Sequence, residues 1–214
     1  TVNTPPYWIT PAGLVAVVAR GGTLPALRLA AADPQDASSS SPTYTVVAGS
    51  LPPGLNLSSV TNVKMDDLGA TDLPPGLTGN SVARVATLAN AVANSAVPGA
   101  TYTFTLRATD YPPPGGTALS EDRTFQIRIS DTTVAPTLPA AVRGAPYSVQ
   151  AITPGSDSPT LSATGLPAGL TLGQDGIISG VVPTGAPIGT STVTFTISIG
   201  GIQSVLTRTL QVIN

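Results

Sequence analysis

The chain of 214 residues contains no histidine and no cysteine. The absence of histidine excludes Ser-His-Asp and Cys-His catalytic arrangements and histidine metal sites. The absence of cysteine excludes zinc-thiolate clusters and disulfides, so the fold must be stabilised by its core alone. The commonest catalytic sets are therefore ruled out, and we expect neither an enzyme nor a cofactor.

Charge is scarce as well, since charged residues make up 9% of the chain and the net charge is −2. Such a chain has no basic surface for a phosphate backbone, so we do not expect nucleic acid as a partner. The longest apolar run, Leu14 to Ala19, is too short to cross a bilayer, which predicts no membrane insertion. The opening TVNTPPYW lacks the features of a signal peptide and an initiator Met, which predicts a processed end or an excerpt from a longer chain.

Glycine and proline are abundant, with 22 residues of each. This composition is typical of disorder or of an all-β protein with many turns. Disorder conflicts with a hydrophobic content of 41% and the low charge. The composition therefore predicts a folded, all-β chain.

The phrase L-P-x-G-L occurs at Leu51–Leu55, Leu73–Leu77 and Leu166–Leu170. Proline presets φ for the second position of a β-turn, and glycine supplies the positive φ of a type II turn at the third. Each phrase thus predicts a tight turn that leads into a strand. The predicted structural residues of the first and last copies are Leu51, Gly54, Leu55, Leu166, Gly169 and Leu170.

Two further motifs repeat in the same order. TYTFTLRATD at 101–110 matches TVTFTISIGG at 192–201, and RTFQIRISD from Arg123 matches RTLQVIN from Arg208. The alternation predicts long strands with Phe104 and Phe195 as equivalent core residues. We predict two immunoglobulin-like antiparallel β-sandwiches, residues 1–131 and 132–214, joined by a short linker near Thr132 to Pro136.

The run GLPAGLTLGQDGIISGVVPT, Gly165 to Thr184, resembles the signature of immunoglobulin-like domains related to cadherin modules. These domains recur in bacterial surface proteins and tailed-phage virions. The stretches NTPPYWITPAG, TYTVVAGSLPPGLNL and TYTFTLRATD resemble strands of such modules in phage structural proteins. The resemblance implies tandem copies of this fold.

The first half lacks the G-x-I-S-G segment and carries 24 extra residues, an insertion at about 58–97 that holds the third turn phrase. Lys64 and Met65 in this insertion are candidate partner contacts. Its later part spaces Val82, Val85, Leu88 and Val92 nearly as a helix does, although its β-branched residues also permit a strand. The insertion either covers its own sheet edge or docks on a neighbouring subunit.

Acidic side chains are candidate ligands for calcium, which related cadherin-like modules bind near domain junctions. Asp33, Asp36 and Asp110 have a plausible spacing, but calcium needs six to eight oxygen ligands. Capping of turns is the favoured role for these aspartates. The doublets Asp66-Asp67 and Glu121-Asp122 place neighbours on opposite faces of a strand, which does not suit glycoside hydrolysis.

Aromatic residues offer two further candidates. The loop Asp110 to Asp122 holds three consecutive prolines, and Tyr111 and Pro113 are candidate partner contacts on this stiff segment. Trp8 is expected in the core or over a sheet edge, next to Tyr7. With nine aromatic residues in the chain, sugar stacking is the less favoured reading.

The expected function is structural or interactive. The main hypothesis is a component of a tailed-phage virion, on the tail, baseplate, fibre or capsid surface, with other virion or surface proteins and a host-surface ligand as candidate partners. The alternative is a binding module of an adhesin on the bacterial cell surface, and a third is an accessory domain of a secreted enzyme.

Overall fold

The computed structural model describes residues 2–35, 41–68, 73, 76–112 and 114–214. Within these ranges the chain forms eighteen strands and a single-turn 3-10 helix at Asp66–Leu68. The all-β prediction is confirmed. The described residues include no helix with the length and apolarity that a membrane span requires.

The first nine strands lie before residue 130. They are β1 (Tyr7–Trp8), β2 (Gly13–Val18), β3 (Thr23–Leu29), β4 (Ala31–Ala32), β5 (Thr43–Gly49), β6 (Asn56–Lys64), β7 (Val82–Ala91), β8 (Thr101–Thr109) and β9 (Ser120–Ile129).

The other nine strands follow from residue 133. They are β10 (Thr133–Val134), β11 (Ala141–Val142), β12 (Pro146–Gln150), β13 (Ile152–Thr153), β14 (Thr160–Thr164), β15 (Leu170–Leu172), β16 (Ile177–Val181), β17 (Gly189–Ile199) and β18 (Ile202–Ile213).

The pairing plan of the first nine strands is repeated in the second nine. In the first set β1 pairs with β4, and the other strands run in the orders β2-β9-β8-β5 and β3-β7-β6. In the second set β10 pairs with β13, and the orders are β11-β18-β17-β14 and β12-β16-β15. The tandem immunoglobulin-like prediction is therefore confirmed at the level of topology.

The insertion lengthens a hairpin that both halves possess. β6 and β7 hold the places of β15 and β16, so β7 replaces the missing G-x-I-S-G segment. β7 pairs with β6 in antiparallel register, with Val85 opposite Val60. The ambiguous run at 82–91 is thus a strand, because neighbouring strands satisfy its backbone on both sides.

The chain divides into two compact units whose limits differ from the sequence halves. Unit 1 contains residues 1–15, 25–90 and 101–127, and unit 2 contains residues 16–24, 91–100 and 128–214. Short segments of the first half therefore belong to unit 2. Among them, Ala19 donates its backbone N–H to Ser204 Oγ at 2.9 Å, and Thr23 pairs with Val205.

Aromatic rings form part of the core of unit 1. Trp8 is 1% exposed, and its ring centroid lies 5.7 Å from that of Tyr44 and 5.1 Å from that of Phe125. The Phe125 ring in turn lies 6.0 Å from Phe104. The core position expected for Trp8 is confirmed, and ring pairs at these separations stabilise beyond their buried area.

Tyr44 carries a polar group into this interior. Its hydroxyl accepts a hydrogen bond from Ala31 N at 3.0 Å and lies 2.9 Å from the carbonyl oxygen of Arg84, to which it can donate. Burial raises the pKa of Tyr44. The hydroxyl therefore stays neutral and ties β5 to β4 and β7.

Unit 2 has a core of aliphatic residues around Phe195. Its members come from both sheets of the second repeat and from Ala19, and they include Ile152, Leu161, Leu170, Ile178, Val193, Leu210 and Val212. Phe195 pairs with Ala163 on β14 and with Leu206 on β18.

The two outer L-P-x-G-L phrases form the same turn. Leu55 N donates to Pro52 O, and Leu170 N donates to Pro167 O, both at 3.1 Å. Gly54 has φ of 93° and Gly169 has φ of 85°, as a type II turn requires. A Cβ at position 169 would lie 2.0 Å from the carbonyl oxygen of Val181, so glycine is needed there for space as well. In the third copy, Pro74 and Pro75 lie outside the described residues.

A glutamine side chain closes the outer edge of β14. Gln174 Oε1 accepts from Leu161 N at 2.9 Å, and Gln174 Nε2 donates to Leu161 O at 2.6 Å. The side-chain amide thus supplies the two bonds that another strand would make here.

The segment predicted as a linker is structured. Thr133 and Val134 form β10, and Thr132 is buried with its N–H donated to Ser130 Oγ at 3.1 Å. Gly155 N donates to Thr132 Oγ1 at 2.9 Å. Residues 130–134 thus belong to unit 2, with Ser130 and Thr132 in its interior. Separate folding of the two predicted domains stays a prediction.

Truncation of either equivalent phenylalanine should strongly destabilise the protein. Phe104 and Phe195 are fully buried, and Phe-to-Ala changes at such sites cost about 3 to 5 kcal/mol. Chemical denaturation should show this loss for Phe104→Ala and Phe195→Ala. The controls Thr103→Ala and Thr192→Ala, on the exposed face of the same strands, should stay within about 0.5 kcal/mol of the original protein. Equal losses in both sets would contradict the assignment of faces.

The second repeat should fold in isolation but with reduced stability. Fragment 128–214 keeps β10 to β18 yet loses the bond from Ala19 to Ser204, so it should melt below the transition of the same residues in the full chain. Fragment 132–214 also loses Ser130, whose hydroxyl bonds are worth about 1 kcal/mol each, and should melt lower still. Scanning calorimetry measures both. An unfolded 128–214 fragment would show that these nine strands do not fold without the rest of the chain.

Candidate functional site

The N-terminal segment is held onto the closing strand of unit 1. Trp8 Nε1 donates to the carbonyl oxygen of Glu121 at 3.0 Å. In return, Arg123 Nη1 donates to Trp8 O at 3.2 Å and to Thr10 O at 2.9 Å. A guanidinium that binds two carbonyls fixes the path of the backbone between them.

The alternation of β9 decides which side chains face this segment. Glu121 and Arg123 share the parity of buried Phe125, whereas Asp122 lies on the opposite face. There Asp122 forms a two-pronged ion pair with Arg107, at 2.7 and 2.8 Å. The hydrogen bond from Arg107 lowers the pKa of Asp122, so this carboxylate is committed to a structural pair.

A groove of about 430 Å³ opens beside the held segment. Its lining consists of Thr4, Pro5, Pro6, Tyr7, Trp8, Pro34, Glu121 and Arg123. Tyr7 precedes buried Trp8 on β1 and is 49% exposed, because neighbouring residues of a strand point to opposite sides. The groove thus offers an aromatic ring, a carboxylate and a guanidinium.

Asp110 closes the base of the neighbouring proline loop. Its Oδ1 accepts from Leu119 N at 2.7 Å, and its Oδ2 accepts from Asn3 Nδ2, also at 2.7 Å. Asn3 donates in addition to Thr117 O at 3.2 Å. Tyr111 on this loop is 71% exposed and stays a predicted partner contact, whereas Pro113 lies outside the described residues.

The calcium candidates do not assemble into a site among the described residues. No group of three acidic side chains suited to a metal occurs there. Asp33 is buried and its Oδ1 accepts from Gln35 N at 2.8 Å, which is the geometry of a capped turn. Asp36 lies outside the described residues.

The two acidic doublets lie in different parts of the fold and have different surroundings. Asp66 and Asp67 belong to the single-turn helix and are exposed. Glu121 lines the groove, and Asp122 is paired with Arg107 on the other face. Neither doublet therefore directs two carboxyl groups at one substrate bond.

The insertion buries most of its apolar residues, in unit 1 up to residue 90 and in unit 2 from residue 91, whereas Val60 and Val97 are exposed. Met65 is fully buried and packs with Ala32, Leu77 and Ala83. The prediction of Met65 as a partner contact is therefore corrected, because its side chain has no accessible surface. Lys64 is exposed and stays a prediction. The predicted structural residues Leu55 and Leu170 are buried, and Leu51 and Leu166 are half-buried.

A second groove, of about 310 Å³, lies at the matching arginine of unit 2. Arg208 Nε donates to Ala135 O at 2.7 Å, directly after β10, much as Arg123 holds the segment that contains β1. This groove is lined by Pro136, Thr137, Thr192, Thr207, Arg208 and Thr209. It contains no aromatic ring and no carboxylate.

The outer faces of the long hairpins carry rows of hydroxyl groups. On β8 and β9 the Oγ1 atoms of Thr105 and Thr124 lie 2.9 Å apart, as do the hydroxyls of Thr109 and Ser120. On β17 and β18, Thr192 lies opposite Thr209 and Thr194 opposite Thr207. Alternation along each strand places these threonines opposite the buried phenylalanines, whereas the cross-strand register was not visible in the sequence.

Loss of charge at Asp110 should loosen the proline loop. In Asp110→Asn one acceptor oxygen becomes an NH₂ group that faces the N–H of Leu119 or of Asn3, so one hydrogen bond is lost. We expect a loss of about 1 to 3 kcal/mol in chemical denaturation. Exposed Asp67→Asn is the control and should change the free energy of unfolding by less than about 0.5 kcal/mol. A melting temperature that rises with millimolar calcium would contradict this structural role.

Comparison with known proteins gives a family match for part of the chain. Residues 130–212 match the family described as "Putative Ig domain", and no curated protein matches the chain. Among solved structures, an endo-fucoidan hydrolase of glycoside hydrolase family 107 aligns at 16% identity over 98% of this chain and 29% of its own, with a TM-score of 0.36. Drosophila N-cadherin EC1-3 aligns at 17% identity over 99% and 68%, with a TM-score of 0.34. The titin Ig tandem A164-A165 aligns at 10% identity over 100% and 99%, with a TM-score of 0.33.

The chain spans less than a third of the length of the hydrolase. The family match includes β10 to β17 and nearly all of β18, so it covers the second repeat and ends before the last residues of the chain. The match covers less than half of the chain and falls on the region that contains the motif at Gly165 to Thr184.

Proposed function

We propose that this chain is a non-catalytic structural and interaction component of a tailed-phage virion, on its tail, baseplate, fibre or capsid surface. The supporting observation is the opening stretch NTPPYWITPAG, which resembles modules of phage structural proteins. In the fold this stretch supplies β1 and the held segment beside the groove. The first repeat thus has a groove lined by aromatic residues of this stretch, whereas the groove of the second repeat is lined by no aromatic residue.

The chemistry of the described residues supports a role without catalysis. Asp122 and Asp110 have structural partners, and the outer faces of the hairpins carry mainly hydroxyl groups. Such faces suit a spacer that displays loops and a groove. The partners that fit this role are other virion proteins and a ligand on the host surface.

A binding module of a bacterial surface adhesin is the second candidate, because the same domain family recurs there. An accessory domain of a secreted enzyme is the third, since a fold alone does not determine function. The three candidates differ in where the chain is found.

Immunogold labelling of the producing culture separates the candidates. Antibodies against the purified chain should mark repeated positions on phage particles in a lysate, and antibody preabsorbed with the chain should mark nothing. Label confined to cell envelopes would contradict the virion role and favour the adhesin. Co-purification with a hydrolase, with no label on phage particles or cell envelopes, would favour the accessory domain.

A further inference from the structure

The groove beside β1 holds three groups that are free to contact a ligand. Tyr7 exposes about half of its side chain there, and Glu121 and Arg123 line the same groove. Within the described part of the chain, the Tyr7 hydroxyl and the Glu121 carboxylate form no hydrogen bond, and Arg123 uses Nη1 alone. Hydroxyl, carboxylate and two guanidinium nitrogens thus remain for recognition.

The groove is also rigid before any ligand binds. Pro5 and Pro6 fix two backbone φ angles in its wall. Thr4 N donates to Gln35 Oε1 at 2.8 Å, and Gln35 Nε2 donates to Val2 O at 2.9 Å. With Arg123 holding the far end of the segment, the walls need little ordering on binding, which lowers the entropic cost of binding even a small ligand.

We infer that this groove binds a neutral saccharide. The exposed Tyr7 ring offers a face on which the C–H side of a pyranose can stack. The Glu121 carboxylate accepts hydrogen bonds from sugar hydroxyls, and the Arg123 guanidinium donates to them. A volume of about 430 Å³ lies within the range of small-molecule sites and accommodates one or two sugar units.

Charge argues for a neutral ligand. Glu121 and Arg123 give the groove one charge of each sign, so the balance of these two charges favours neither anionic nor cationic ligands. The groove at Arg208 in unit 2 is lined, besides the arginine, by prolines and threonines, and the position that matches Glu121 is the buried Leu206. Arginine alone therefore serves the fold, and the added Tyr7 and Glu121 mark the first groove as the binding site. The inference rests on the proposed interaction role but not on the virion.

Saturation-transfer NMR on the full chain tests the inference with maltose, cellobiose, lactose, mannobiose and a rhamnose disaccharide as probes. At least one probe should receive saturation through its C–H face. Tyr7→Ala should weaken that binding about tenfold or more, because the stacking surface is lost. Glu121→Gln should weaken it about threefold, since a charge-assisted bond becomes neutral.

Matched variants separate binding from folding. Tyr7→Phe keeps the ring and should retain most of the binding, and Tyr111→Ala removes an exposed ring outside the groove and should retain all of it. Thermal melting of each variant checks the fold. If Tyr7→Ala unfolds, the Glu121→Gln result decides.

Three results would overturn the inference. The first is no saturation of any probe, and the second is saturation that persists in both Tyr7→Ala and Glu121→Gln. The third is a proline-rich peptide that contacts Tyr7 while none of the sugars does. Because the measurement uses purified protein, its failure leaves the immunogold result untouched. Absence of label on particles, conversely, leaves sugar binding intact.

Discussion

A guanidinium that holds the start of each repeat to its closing strand organises the structure. Arg123 binds the carbonyls of Trp8 and Thr10, and Arg208 binds that of Ala135. Hydrogen bonds from charged groups are worth about 1.5 to 3 kcal/mol each. In a chain without disulfides, these contacts close the sandwich where its first strands are only two residues long. The burial of Trp8 and the shape of the groove both follow from this closure.

Features set by local chemistry could be predicted from the sequence. The Pro-Gly turns before Leu55 and Leu170 form because proline and glycine restrict φ within four residues. The alternation around Phe104 and Phe195 likewise fixes which face is buried, whatever the partner strand. The tandem repeat was recognisable because these local signals occur twice in the same order.

Features set by distant residues could not be predicted in this way. The run from Val82 fits both a helix and a strand by spacing, and its pairing with β6 decides between them. Met65 resembled a surface contact because nothing nearby shows that Ala32 and Leu77 cover it. The groove depends on contacts such as that from Trp8 to Glu121, which are 113 positions apart. The inclusion of residues 16–24 in unit 2 is non-local in the same sense.

The threonine rows on the outer hairpin faces determine how the protein meets its solvent. A surface of hydroxyl groups neither titrates nor collects counterions, so its hydration changes little with acidity or dissolved salt. Proteins that rely on charged surfaces lose or gain self-repulsion when those conditions change. With 9% charged residues, this chain has little surface charge for dissolved salt to screen.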